Sequence, residues 1–194
     1  MTNSLWLGFG WLFFYAIHSL LASQQIKNRV ETQLPKIGSN YRLFYNIVAL
    51  LLFVPLSYVQ LFTFSPQLWA LPPAVALGGY GLMTAGAVVL VLSFRNYDLK
   101  AFLGLQPVIN SDQETLQITG MNRWVRHPLY LGVVLLLFGM WLANCHTHHT
   151  AFLLSTLCYL PFGIYWEEQK LIQQFGQAYK TYAARTKILI PLIF

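Results

Sequence analysis

The chain has 194 residues, of which 56% are hydrophobic and only 9% are charged. Soluble domains carry roughly 25% charged residues, so this composition excludes an ordinary soluble protein and predicts an integral membrane protein. The net charge of +6 then indicates membrane orientation rather than nucleic-acid binding, because no basic cluster is long enough for a nucleic-acid interface.

The first three apolar segments are each long enough to cross a bilayer as a helix. They cover residues 5–22, 41–64 and 72–94. The first segment lacks a basic region before it, which argues against a signal peptide. The third carries small residues that would let another helix pack closely against it: Gly78, Gly79, Gly81, Ala85 and Gly86.

Two further apolar runs, 128–143 and 151–166, flank a polar turn over residues 144–150. Each run would be about 24 Å long as a helix, and this equality predicts a tight antiparallel hairpin. The turn contains cysteine and histidines that resemble a metal site by composition only, since their spacing is not that of structural zinc. We therefore expect a polar turn and no metal there.

Together these segments predict an all-α integral membrane protein with five transmembrane helices, the last two forming the tight hairpin. We expect one domain over residues 1–194, with a motif-bearing core at about 95–191. After Glu168, apolar residues at helical spacing predict a short interfacial C-terminal helix that stops at Gly176. The alternative for this tail is an amphipathic segment that only anchors the chain.

Basic residues alternate between the connections of these helices. The second connection and the hairpin turn have no Lys or Arg, whereas the others and the tail hold Lys27, Arg29, Lys36, Arg42, Arg95, Lys100, Arg123, Arg126, Lys170, Lys180, Arg185 and Lys187. The positive-inside rule then predicts an N-terminus outside and a C-terminus in the cytoplasm. We expect the inner membrane of a prokaryote, with lipid as a contact. The long apolar loop 95–126 is expected to fold over the cytoplasmic mouth as a lid.

The hairpin would return Glu167 and Glu168 to the level of Arg126, His127 and Tyr130. A helix beginning at the following proline leaves free N–H groups, and with the arginine these favour an anionic ligand. A bland alternative is an arginine that only sets membrane orientation, followed by a proline at a helix start. Two acids at a membrane boundary fit that alternative least, because ionisable groups at such depth usually have partners.

The motif Arg-His-Pro-x-Tyr-x-Gly at 126–132, followed by the Glu-Glu pair and by Phe-Gly-x-x-Tyr-x-x-Tyr at 175–182, resembles the isoprenylcysteine carboxyl methyltransferase superfamily. These small membrane enzymes use S-adenosylmethionine. Residues 97–106 and the pair His18-Ser19 are similar to the methanethiol S-methyltransferase branch. The same N-terminal features are similar to denitrification-associated membrane proteins related to zeta-carotene isomerase, some of which use haem.

The resemblance implies an S-adenosylmethionine-dependent membrane methyltransferase whose acceptor is a small thiol or a lipophilic molecule. It implies a cytoplasm-facing cofactor site formed by Gln106, Arg126, His127, Tyr130, Glu167 and Glu168. His18, Arg126 and Glu168 are the candidate catalytic residues. Which of the two acids contacts the cofactor is left open.

His18 lies near the same membrane face and could take a proton from a thiol acceptor. It could instead bind haem or only pack between helices. The corresponding alternatives for the protein are a haem-bearing membrane isomerase or denitrification-associated accessory protein, and a purely structural membrane subunit.

Overall fold

A computed structural model describes residues 2–34, 38, 40–95, 98–105 and 115–190. Helices dominate this part of the chain, which confirms the predicted all-α class. Their bounds are α1 Thr2–Leu21, α2 Gln24–Gln33, α3 Tyr41–Phe62, α4 Pro73–Phe94, α5 Leu99–Leu103, a 3₁₀ turn Gly120–Arg123, α6 Pro128–Ala143, α7 Thr147–Phe175 and α8 Gln177–Ala183.

Three of these helices, α1, α3 and α4, are long and apolar enough to cross a membrane. Helix α6 is equally apolar but shorter. The chain is therefore an integral membrane protein, as its composition predicted. The number of spans and the hairpin remain predictions.

Helices α4 and α6 form the most extensive contact of the described residues, and glycines bring their backbones together. A Cβ added at Gly86 would lie 2.6 Å from the backbone nitrogen of Leu136, and one at Gly139 would lie 2.6 Å from the carbonyl of Gly79. Small residues at such positions permit close helix approach in membranes. The prediction for the third segment is therefore confirmed at Gly79 and Gly86, whereas Gly78 and Gly81 face open space.

Helices α1 and α7 form the second extensive contact, which includes stacked aromatic rings and hydrogen-bonded hydroxyl groups. Trp11 stacks on Phe152 with 4.0 Å between ring centroids. The hydroxyls of Tyr15 and Thr156 lie 2.7 Å apart. This interface contains polar groups within its apolar surroundings.

Helix α7 is one continuous helix of 29 residues. The predicted separate interfacial helix after Glu168 is instead the last part of α7, because no residue between the acids and Phe175 interrupts the helix. Gly176, with φ of +54°, ends it as predicted. The short helix α8 follows. Beyond α8 the chain returns to the start of α6, where the backbone N–H groups of Arg126 and His127 donate to the carbonyls of Lys187 and Ile188 at 2.8 and 3.1 Å.

Candidate functional site

Arg126 lies just before α6 and is joined to two other parts of the chain. Its Nε donates to Oε1 of Glu168 at 2.8 Å and its Nη2 to Oε2 at 3.3 Å. Its Nη1 donates to the carbonyls of Ala183 and Thr186 at 2.8 and 2.7 Å. With 11% of its side chain exposed, Arg126 fastens α7 and the C-terminal segment to the start of α6.

Glu168 accepts more hydrogen bonds than those from Arg126. The hydroxyl of Tyr179 donates to Oε1 at 2.7 Å, and Nε2 of His127 lies 2.9 Å from the same oxygen. Burial alone would raise the pKa of Glu168, but the hydrogen bonds from His127, Tyr179 and Arg126 outweigh it and hold the pKa at about 2. The carboxylate is therefore charged at neutral pH, and each of its oxygens accepts at least one hydrogen bond from the protein.

His127 is 3% exposed and faces both acids. Its Nδ1 lies 3.6 Å from Oε2 of Glu167, while its Nε2 meets Glu168. Burial lowers the pKa of His127, but the contacts with the two carboxylates outweigh it and raise the pKa above its ordinary value. The arrangement favours an imidazolium with one N–H toward each acid.

Glu167 differs from its neighbour, because 44% of its side chain is exposed. Besides His127, its carboxylate interacts with the hydroxyl of Tyr130, in the first turn of α6. Successive residues of a helix point about 100° apart. Glu168 therefore faces Arg126 and forms what we call the clamp, whereas Glu167 remains exposed to solvent. The structure thus separates the two acids that the sequence left equivalent.

Two open grooves lie beside this cluster. One, of about 280 Å³, is lined by Arg126 and residues 183–188. The other, of about 500 Å³, is lined by Leu116, Ile118, Arg123, Ala178, Thr181, Tyr182, Arg185 and Thr186. In the adjoining 3₁₀ turn, the buried Oδ1 of Asn122 has no hydrogen-bond partner among the described residues. The grooves combine apolar surface with exposed guanidinium groups.

His18 is not part of this cluster as far as the described contacts show. Its ring stacks on Phe14, with 5.9 Å between centroids, and meets Tyr45 of α3 edge-on at 6.2 Å. Its Nδ1 is buried and has no hydrogen-bond partner among the described residues. The neighbouring Ser19 instead faces α7, where it hydrogen-bonds Tyr159. The prediction that His18 acts on an acceptor stays a prediction.

The predicted lid lies partly outside the described residues, and Gln106 falls in that part. The described part packs on the start of α3: Nη1 of Arg42 donates to the carbonyl of Ala101 at 3.0 Å, and the Asn46 amide to that of Phe102 at 3.2 Å. Gly104, with φ of +76°, allows this approach, since a Cβ there would lie 2.4 Å from the backbone nitrogen of Leu43.

The sequence predicts that five polar residues lie close together, and the structure places them together: Arg126, His127, Tyr130, Glu167 and Glu168. Sequence reasoning missed the role of Tyr179 and of the carbonyls at 183 and 186. The Tyr-x-x-Tyr motif includes Tyr179 but does not identify it as a partner of Glu168. Helical spacing could not give that contact, because Gly176 breaks the register between the two residues.

Comparison with known proteins adds a family and relatives. The model of the NnrU protein family matches residues 6–193. The chain is 30% identical to methanethiol S-methyltransferase 1 of Bradyrhizobium diazoefficiens, over 90% of this chain and 62% of the relative. It is 27% identical to methanethiol S-methyltransferase of Crocosphaera subtropica, over 100% of this chain and 77% of the relative. The corresponding protein of Mycobacterium tuberculosis is 28% identical, over 90% of this chain and 72% of the relative.

These matches confirm the resemblance that the motifs indicated. The chain spans 62% of the length of the Bradyrhizobium relative, so that protein contains sequence that this chain does not match. No solved structure matches the chain significantly.

Proposed function

We propose that this chain, which belongs to the NnrU protein family, is a membrane methyltransferase that uses S-adenosylmethionine and methylates a small thiol. The observation that carries the proposal is its similarity, over nine-tenths or more of its length, to proteins named methanethiol S-methyltransferase. The geometry around Glu167 supports it. We also propose five spans, with the site on the cytoplasmic face.

The residues present fit a methyl donor of this kind. S-adenosylmethionine carries an ammonium group and ribose hydroxyls, which are hydrogen-bond donors, and Glu167 offers an exposed acceptor beside Tyr130. The carboxylate of the methyl donor would suit the exposed guanidinium groups of Arg123 and Arg185 in the larger groove. When bound, the donor supplies a methyl group on a positively charged sulfur, and an aromatic ring face favours such a cation.

Arg126 and Glu168 have a supporting role in this proposal. Both are predicted to contact the ligand, and most of their hydrogen-bonding groups also join them to each other, to Tyr179 and to the C-terminal segment. They hold His127 and Glu167 in place at the groove. Fixing polar groups in this way favours binding because little side-chain entropy is lost on ligand contact.

The transfer joins the acceptor sulfur to the methyl carbon while the bond from that carbon to the donor sulfur breaks, its electron pair remaining on the donor. The thiol proton passes to a base, and His18 is the candidate that the sequence provides. Such in-line displacements depend mainly on alignment and on exclusion of water. A lipophilic acceptor entering between helices is the alternative that the sequence left open.

Calorimetry of the detergent-purified protein with S-adenosylhomocysteine tests the donor site. We expect binding in the natural protein and binding weakened by about 1.5–3 kcal/mol in Glu167→Gln, the usual contribution of a hydrogen bond to a charged group. Glu31→Gln, an exposed acid in α2, is the control and should bind normally. Absence of binding in the natural protein would contradict the proposal.

A second assay identifies the acceptor. Methyl transfer from labelled S-adenosylmethionine would be measured with methanethiol, a prenylated thioether acid and an aminophospholipid. We expect transfer to methanethiol, with a rate that rises with pH as more thiolate forms. Transfer only to the acid or the lipid would contradict the proposed acceptor. The names of the relatives do not favour the haem-bearing alternative. A bound haem would be visible in the absorption spectrum of the same sample.

A further inference from the structure

We infer that the hydroxyl of Tyr159 binds the sulfur of the acceptor thiol at the point where α1, α6 and α7 meet. This inference rests on the proposed function and adds a residue to it. Neither the motif around Arg126 nor that around Glu167 includes Tyr159, which lies two turns before the acids on α7.

The ring of Tyr159 has a fixed position and direction. It stacks on Tyr15 of α1, with 4.8 Å between ring centroids and 14° between planes. It also lies across Gly163, since a Cβ added there would lie 2.9 Å from Cε1 and 3.2 Å from the hydroxyl of Tyr159. Because Gly163 is one turn further along α7, the hydroxyl is directed toward the end of the helix that carries Glu167.

Helix α1 contacts this hydroxyl directly, and polar groups of α6 and α7 lie within electrostatic range of it. It hydrogen-bonds the hydroxyl of Ser19 on α1. It also lies close enough to Tyr130 on α6 and to Glu167 on α7 to interact with both electrostatically. The hydroxyl of Tyr159 therefore connects the α1 side of the bundle, where the sequence placed the acceptor, to the proposed donor site.

The chemistry of this place suits a small thiol. A phenol can donate a hydrogen bond to sulfur, and this bond strengthens as the sulfur gains negative charge. Ring faces of Tyr15 and Tyr159 give an apolar surface for a methyl or short alkyl group. A sulfur held here would face the donor methyl near Glu167 and Tyr130, and the acceptor would bind as the thiolate that forms in solution as pH rises.

Replacing Tyr159 with Phe tests the inference, because the ring keeps its stacking and only the hydroxyl is lost. We expect the KM for methanethiol to rise about tenfold or more, which corresponds to the loss of one hydrogen bond to a charged group. S-adenosylhomocysteine affinity should stay within about twofold of the natural protein. The matched control is Tyr58→Phe, which removes the hydroxyl of an exposed tyrosine in α3 and should leave the KM unchanged.

The outcomes separate this inference from the proposed function. If the natural protein binds the donor product and methylates the thiol while Tyr159→Phe has the natural KM, the inference is wrong and the function stands. If the natural protein does neither, the proposed function fails first. Should Tyr159→Phe not fold, Ser19→Ala replaces it, because Ser19 holds the Tyr159 hydroxyl in its direction. Loss of this partner should raise the KM for the thiol while the affinity for S-adenosylhomocysteine is kept. An unchanged KM would overturn the inference.

Discussion

Two buried histidines lie at opposite ends of the bundle and have opposite surroundings. His127, 3% exposed, precedes α6 and faces two carboxylates. His148, 1% exposed, is in the first turn of α7, and neither ring nitrogen has a hydrogen-bond partner in the part of the chain that the structure describes. Both side chains are excluded from solvent, but only one of them is bound to charged groups.

The difference shows where this chain concentrates its polar interactions. A buried polar group is costly unless it is paired. Around His127 the polar groups are extensively hydrogen-bonded. The last member of this group is Glu167, whose carboxylate remains exposed. Around His148 the neighbouring hydroxyls bond one another: Ser4 donates to Thr147 at 2.8 Å, and Ser65 lies 3.1 Å from Thr147. Pairing at the His127 end supports a binding site, whereas the other end connects helices.

The largest effect should come from breaking the pairing at Glu168. In Glu168→Gln the guanidinium of Arg126 and the imidazole of His127 lose their shared charged partner while they remain buried. We expect the free energy of unfolding to fall by about 3–5 kcal/mol, the usual effect of removing one member of a buried ion pair. Denaturant titration of the detergent-solubilised protein would measure it.

The matched variant is Glu167→Gln, at the next position of the same helix. Because Glu167 is 44% exposed, we expect less than about 1 kcal/mol of destabilisation, as for other exposed ion pairs. Equal losses in the two variants would show that the acids are not divided into a clamp and an open group.

The pH dependence of stability should follow from the same cluster. Glu168 has a lowered pKa, so its contribution is present above the ordinary carboxyl value of 4.5 and is lost as pH falls toward about 2. His127 has a raised pKa, so its contribution is complete below the ordinary value of 6.5 and is lost as pH rises through the raised value.

We therefore expect the highest melting temperature between about pH 4.5 and 6.5, with a decline on both sides. His127→Gln should lack the decline on the alkaline side, because it removes the group that loses its proton there. Thermal unfolding of both proteins across this pH range would measure the two profiles. A melting temperature that is flat from about pH 6 to 9 in the natural protein would contradict the imidazolium at His127.

The sequence was sufficient to predict the helical class and the meeting of Arg126 with the two acids, because arm lengths and local motifs fix both. It could not distinguish Glu167 from Glu168, since that difference depends on how α7 rotates against the rest of the bundle. It also could not predict that Gly79 would be packed while Gly78 is not. Both are glycines in the same apolar helix, and only the position of the neighbouring helix distinguishes them. The contact of Tyr179 with Glu168 depends on the break between α7 and α8 at Gly176, which no periodicity describes.

The smallest effect is expected from His148→Phe, at the opposite end of the comparison. Phenylalanine fills a similar volume and removes two ring nitrogens that have no partner among the described residues. The backbone N–H of position 148 would still donate to Ser65, as it does now at 2.9 Å. Replacing an unpaired buried polar group by an apolar one of similar shape is nearly neutral or stabilising, so we expect a change between zero and about 1 kcal/mol of added stability.

His127→Phe is the contrast for this variant, because the same substitution there removes a group that both Glu167 and Glu168 face. We expect it to destabilise the protein clearly and to weaken S-adenosylhomocysteine binding, whereas His148→Phe should bind the donor product normally. Unfolding and calorimetry on the two variants, purified in the same detergent, would measure both effects. A loss of more than about 2 kcal/mol in His148→Phe would mean that its ring has a polar partner of its own, and the two ends of the bundle would then no longer differ in the way described.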